Sequence, residues 1–344
     1  MSPLIWSTLL TSLLASTIIT MSSNHWLLAW LGLELNTLCV LPMIIKSHHP
    51  RATEAATKYF LVQATAATMV LLAGIMNAWQ TGHWSIAHTT PLPTLLTTAA
   101  IMLKLGAAPT YMWYPHILQG VTMNTALFIS TWQKLAPLAL LYITHNHLDR
   151  TTLLLLGLLS ALLGGWAGLN QTQTRTIMAF SSIAHVGWLI TAITISPSIT
   201  TLTMLIYMMT TAATFLPLAT TSNTIMTTGT MWPMSPATLT ATMIALLSLG
   251  GLPPLTGFMP KWLILKELVA TGLPLVATLL LTSSLLSLFF YTRLAYMTIL
   301  TTPPTTTNTE HKWRWKTGQL KHTAPTIVAT TLLLPMTTTL YTTT

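Results

Sequence analysis

Charge is what this chain has least of. Of its 344 residues only 6% are Asp, Glu, Lys or Arg, against about 25% in soluble domains, which excludes a fold with a water-facing surface. Just five residues are acidic, too few for the cluster of carboxylates that a selective sodium site prefers. Cys39 is the single cysteine, so neither a disulfide framework nor a thiolate metal site is available. There is no Gly-rich phosphate loop and no Ser/His/Asp set, and His48, His49, His145 and His147 have no carboxylate at ligand spacing. No cofactor, metal or redox centre is expected on this chain. The first ten residues, MSPLIWSTLL, lack a basic n-region, so neither an ordinary secretory signal nor an Arg-rich transit peptide is expected.

Apolar length is abundant. Hydrophobic residues make up 52% of the chain and the mean hydropathy is +0.64, with runs of about 20 residues throughout. This predicts an all-α polytopic membrane protein. Cutting the runs at Ser, Asn, His, Pro and Gly clusters gives about eleven spans: 3–21, 25–45, 56–80, 92–120, 124–143, 151–170, 175–195, 199–221, 237–270, 274–300 and 323–342. Asn24 and Asn124 are the expected caps of the helices that follow them.

Two spans are broken. Thr97–Gln119 carries Lys104 and then Leu105-Gly106-Ala107-Ala108-Pro109, and Leu247–Lys261 carries Leu249-Gly250-Gly251-Leu252-Pro253-Pro254 before Lys261. A helix broken in lipid must satisfy the freed carbonyls with protein or water, and paired breaks in two halves point to a transport path. The first ten spans divide into two sets of five, each with its fourth span broken. An odd number per set inverts the second relative to the first. The expectation is a single transmembrane domain over 1–344, with repeat one at about 1–145, repeat two at about 149–301, and an extra helix at about 323–342. That register places Ser248 opposite Lys104, so the halves are not chemically equivalent.

The formal charge is +9, and its distribution sets topology rather than nucleic-acid binding. Lys46, Arg51, Lys58, Arg175, Lys312, Arg314, Lys316 and Lys321 fall on the side of the N-terminus, and Arg150 alone opposes them. That side faces the synthesising compartment, and the C-terminus lies opposite. The mixed Lys312-Trp313-Arg314-Trp315-Lys316 reads as an interfacial anchor.

Five ionisable residues fall near mid-depth on five spans: Glu34, Lys104, Lys134, His185 and Lys261. A charge there costs about 2.5–3.5 kcal/mol unless paired or hydrated. Lysines crowded around one carboxylate have reason to release protons, which is what a proton relay needs. His116, just after Pro115, is a further candidate donor or acceptor toward Lys104.

The run Arg175-Thr-Ile-Met-Ala-Phe-Ser-Ser-Ile-Ala-His185-Val-Gly-Trp188 resembles the R-x-x-x-A-(Y/F)-S-S-(I/V)-x-H-x-G helix of the antiporter-like subunits of respiratory complex I. Glu34 in Trp30-Leu-Gly-Leu-Glu-Leu-Asn36, Lys104 before its break and Leu249-Gly-Gly-Leu-Pro-Pro254 with Lys261 are similar to that family too. The resemblance covers the whole chain. It implies a helix-to-helix pair of Glu34 and Lys104, a bridging Lys134 and a distal Lys261. It also implies a mitochondrial inner-membrane location, with the N-terminus on the matrix side and the C-terminus on the intermembrane-space side. NADH, FMN, iron–sulfur clusters and ubiquinone are then implied on other parts of the complex. The implied partners are neighbouring antiporter-like and small transmembrane subunits and lipids such as cardiolipin, not nucleic acid. Bacterial members begin with three further helices that this chain lacks, so a subunit or lipid is implied on that side. The competing readings are a stand-alone cation/proton antiporter and a structural anchor, although an anchor has no reason to carry mid-depth charges.

Overall fold

The computed structural model describes residues 3–46, 48–219, 224, 236–300 and 323–336. Among these there is no strand, only two isolated bridges, His25 with Ser85 and Gln173 with Thr224. Among the described residues eight helical spans are long and apolar enough to cross a membrane. The expected basic-aromatic loop with Lys312, Arg314, Lys316 and Lys321, and the chain beyond residue 336, lie outside the described residues. The chain separates into two compact units, Met1–Leu156 and Gly157–Thr344.

In the first unit, α1 (Pro3–Ser22) lies along α2 (Trp26–Ile45), α2 along α3 (Pro50–Thr81), and α3 against α4 (Pro91–Leu105) and α5 (Trp113–Gly120). There follow α6 (Met123–Thr131), a 3₁₀ turn (Trp132–Lys134) and α7 (Leu135–Thr144), which packs on α1, α2 and α4. Two caps depart from the sequence expectation. Residue 24 does not cap α2, because its carbonyl accepts the Ile86 N–H and the Trp26 N–H is given to Trp84. The helix therefore starts one residue later, with His25 Nδ1 accepting the Leu27 N–H at 3.2 Å. Likewise Thr122 precedes α6, and Asn124 lies inside it.

In the second unit, α9 (Thr174–Ile195) is the most enclosed helix, packed by α10 (Pro197–Ala219), α12 (Phe258–Ala270) and α13 (Pro274–Leu300). α10 also meets α11 (Pro236–Gly250) and α14 (Thr323–Leu332). The contact of α9 with α8 (Arg150–Gly168) rests on small residues. A Cβ on Gly187 would stand 2.6 Å from both the Gly157 oxygen and the Ala161 nitrogen, so only glycine permits that approach.

Exposed faces carry Leu4, Leu275 and Leu285, as a lipid boundary requires. They also carry threonine, and the bonds show why this is tolerated. Thr8, Thr65 and Thr278 each give their hydroxyl hydrogen to the carbonyl three residues back, at 2.8–2.9 Å, leaving no donor bare to lipid. Arg293 donates to the Leu169 carbonyl at 2.7 Å, just past the end of α8.

Candidate functional site

Both breaks are the same piece of backbone. α4 ends at Leu105, and Gly106 takes the left-handed conformation with φ +69°. The Gly106 N–H bonds the Leu103 carbonyl at 3.2 Å, and the Ala107 N–H bonds that of Met102 at 3.0 Å. α11 ends at Gly250 with Gly251 at φ +82°, and the Gly251 and Leu252 N–H groups bond the carbonyls of Ser248 and Leu247. These are Schellman caps, which absorb two orphan carbonyls apiece.

The helix ends, the left-handed glycines and the resumed helices at Trp113 and Phe258 are each 145 residues apart. This moves the register by one from the sequence match of Leu105-Gly106 with Leu249-Gly250. The helix keeps Gly250 and gives the left-handed turn to Gly251, so Leu249 rather than Ser248 stands opposite Lys104. Pro115 then matches Pro260, and His116 matches Lys261.

In the first unit, Lys104 occupies the last turn of α4 and is 6% exposed. The helix dipole favours a cation near a helix C-terminus. Its own carbonyl, freed by the break, accepts from Gln63 Nε2 at 3.5 Å. Among the described residues, Lys104 Nζ and the buried Glu34 Oε2 have no hydrogen-bond partner. The Glu34 charge is nonetheless near enough for its field to act on Lys104 and on Tyr59. Among the described residues no direct ion pair closes between the two side chains.

Lys134, 3% exposed, ends the 3₁₀ turn between α6 and α7. Pro137 accounts for that turn, since it has no N–H to give the Gln133 carbonyl and its ring crowds that carbonyl. The Lys134 ammonium lies 5.5 Å from the centroid of the Tyr114 ring. His116 is exposed. No hydrogen bond joins it to Lys104.

In the second unit, Lys261 sits in the first turn of α12 and donates to the Gly250 carbonyl at 2.9 Å. An ammonium has three N–H donors. One meets this last carbonyl of α11, and the Trp188 ring is 5.8 Å away. Lys261 also lines a cavity of about 30 Å³ together with His185, Tyr207, Thr210 and Ser248. That is room for about two waters. His185 reaches the cavity from α9 with its ring 5.4 Å from that of Tyr207. The second break therefore brings Lys261 and His185 to one small hollow.

Sequence reasoning restricted to ionisable groups misses the uncharged members. Gln133 donates to Asn36 at 3.1 Å and accepts from the Tyr59 hydroxyl at 3.3 Å. It thus ties the turn bearing Lys134 to α2 and α3 beside Glu34. The signal was present: Tyr59 and Gln63 are one turn apart on α3, Asn36 is two residues after Glu34, and Gln133 precedes Lys134. Among the described residues no group of three metal-ligating side chains exists.

Residues 23–287 match the model of the NADH:quinone oxidoreductase/Mrp antiporter transmembrane family, and residues 288–341 match that of the NADH dehydrogenase subunit 2 C-terminus. NADH-ubiquinone oxidoreductase chain 2 of Carassius auratus is 50% identical over 340 residues, 98% of each chain. A chain of respiratory complex I from Thermus thermophilus is similar at a TM-score of 0.79 and 26% identity, covering 95% of this chain and 78% of that one. A chain of the Mrp complex from a Dietzia species shares the fold at a TM-score of 0.76 and 17% identity, over 83% of this chain and 59% of that one. With its breaks, its buried lysines and these relatives, the chain belongs to the NADH:quinone oxidoreductase/Mrp antiporter transmembrane family.

Proposed function

We propose that this chain is a core membrane-arm subunit of a proton-pumping NADH:ubiquinone oxidoreductase in the mitochondrial inner membrane. It translocates protons while quinone reduction proceeds elsewhere in the complex. One observation carries the proposal: each break has a buried lysine at it, Lys104 in the last turn before the first and Lys261 bonded to the last carbonyl before the second. A lysine in such a place keeps or loses its proton according to a small change in its surroundings.

Glu34, Lys104 and Lys134 serve the first leg of the relay and Lys261 with His185 the second, with transfer along a hydrated axis. His116 is a peripheral member, at the position that matches Lys261. When the Glu34 carboxylate is close, Lys104 holds its proton; when the two separate, Lys104 releases it toward Lys134. A pair within electrostatic reach but without a direct bond is suited to that alternation. NADH, FMN, the iron–sulfur clusters and ubiquinone belong to other subunits. This chain's partners are other membrane-arm subunits, with lipids such as cardiolipin at the boundary. The reading includes eleven crossings, two inverted five-helix repeats with an added C-terminal helix, and an N-terminus on the matrix side.

Glu34→Gln tests it. The expected outcome is slowed NADH:quinone turnover and pumping at normal assembly. Normal rates of both would remove Glu34 from the relay, and loss of assembly alone would make the pair structural.

A further inference from the structure

The C-terminal helix stands outside the repeat, yet it reaches the second break. Thr256, in the segment between α11 and α12, is 1% exposed. Both its hydrogens go to one acceptor: its hydroxyl bonds the Thr330 carbonyl at 2.7 Å and its backbone N–H bonds the same oxygen at 3.3 Å. That oxygen is available because α14 ends at Leu332, which leaves Thr330 among the last four carbonyls of a helix.

The next residue, Gly257, lies so close to Ser248 that a Cβ would stand 1.8 Å from the Ser248 oxygen. The same oxygen accepts the Gly251 N–H at 3.0 Å. One residue further α12 begins, and four residues past Gly257 comes Lys261 with its bond to the Gly250 carbonyl. The segment is thus held at its start by the Gly251 cap and at its end by Thr256 and Gly257. Of these holds, only the Thr256 bonds come from a helix other than the two that the segment joins.

We infer that α14 is a positioning element for Lys261: the Thr330 carbonyl, through Thr256, sets where α12 starts and hence where the Lys261 ammonium meets Gly250. Thr256 is a positioning residue and touches no transferred proton. α14 also packs on α10 and α11, and α10 supplies Tyr207 and Thr210 to the cavity beside Lys261. A neighbouring subunit that shifts α14 therefore alters the lysine's surroundings without contacting it. The inference rests on the relay reading of Lys261.

The experiment compares Thr256→Val, Thr256→Ser and Lys261→Ala in the assembled complex, with NADH:quinone turnover and proton translocation expressed per assembled complex. A role confined to folding changes the amount assembled and leaves turnover per complex alone. The expected result is a loss of about 2–10-fold for Thr256→Val, the span set by one hydrogen bond. Near-normal turnover is expected for Thr256→Ser, and a larger loss for Lys261→Ala. If Thr256→Val does not assemble, Thr256→Ala takes its place with the same expectation. Normal turnover in the hydroxyl-free variants with impaired Lys261→Ala overturns this inference and leaves the relay standing. Impairment in Thr256→Ser equal to that in Thr256→Val also overturns it, because a variant that keeps the hydroxyl would then fare no better than one that lacks it. Normal pumping by Lys261→Ala overturns both.

Discussion

Two adjacent glycines at the second break should respond oppositely to the same substitution. Gly251 has φ +82°, and an added Cβ would lie 3.0 Å from both Cδ and Nζ of Lys261. Alanine there bears about 1–2 kcal/mol for the left-handed backbone. It also pushes away the ammonium that bonds the Gly250 carbonyl at 2.9 Å, a bond to a charged group worth about 1.5–3 kcal/mol. Together the loss is about 3 kcal/mol or more, enough to weaken the unit and displace Lys261. Gly250 ends the helix at a conformation alanine adopts, and its Cβ would find only Tyr291 at 3.7 Å and Leu288 at 3.8 Å, ordinary contacts. Gly250→Ala should be neutral or stabilising by up to about 1 kcal/mol through helix propensity. The assay is the thermal midpoint of the assembled complex together with its NADH:quinone turnover. A tolerated Gly251→Ala beside a damaging Gly250→Ala would refute the cap geometry and return the register to that of the sequence match.

Two further outcomes follow from the first unit and the loop charges. Gln133→Leu strands the buried Asn36 amide oxygen and the Tyr59 hydroxyl, at about 1–3 kcal/mol for each unsatisfied group. The thermal midpoint and turnover should therefore both fall, and an unchanged midpoint would mean that the network holds nothing. Residues 312–321 should be cut or labelled from the side of the N-terminus and residues 341–344 from the other, because eight cations oppose one across the loops. Access to both regions from one side would break the span count.

Much of this was legible in the sequence because lipid leaves few options. Long apolar runs must be helices, so the eight long spans announced themselves. The breaks were visible because Gly106 and Gly250-Gly251 sit within three residues of Pro109 and Pro253. The residue of Gly250-Gly251 that turns left-handed was not visible, since either glycine can adopt that conformation. The cap bonds decide it. Lys104, Lys134 and Lys261 stood out because charge is rare here, and all three are buried. Gln133, Asn36 and Tyr59 did not, because an uncharged polar residue in an apolar run has many local ways to satisfy itself. Their shared network joins residues up to 97 positions apart. His116 shows the converse. It follows Pro115 in the second half of the broken helix and was a candidate partner of Lys104, but it is exposed while Pro115 and Ile117 on either side are buried.

The central claim is that buried lysines work by losing their charge, and Lys261→Arg tests it most directly. Arginine keeps its charge at any relevant pH, whereas lysine can be deprotonated when desolvated. NADH:quinone turnover and proton translocation should be compared in Lys261→Arg and Lys261→Ala at equal assembly. The account predicts that both variants are impaired, the arginine variant despite its retained charge. Full turnover and pumping with arginine at position 261 would show that a fixed positive charge suffices, and would contradict the relay.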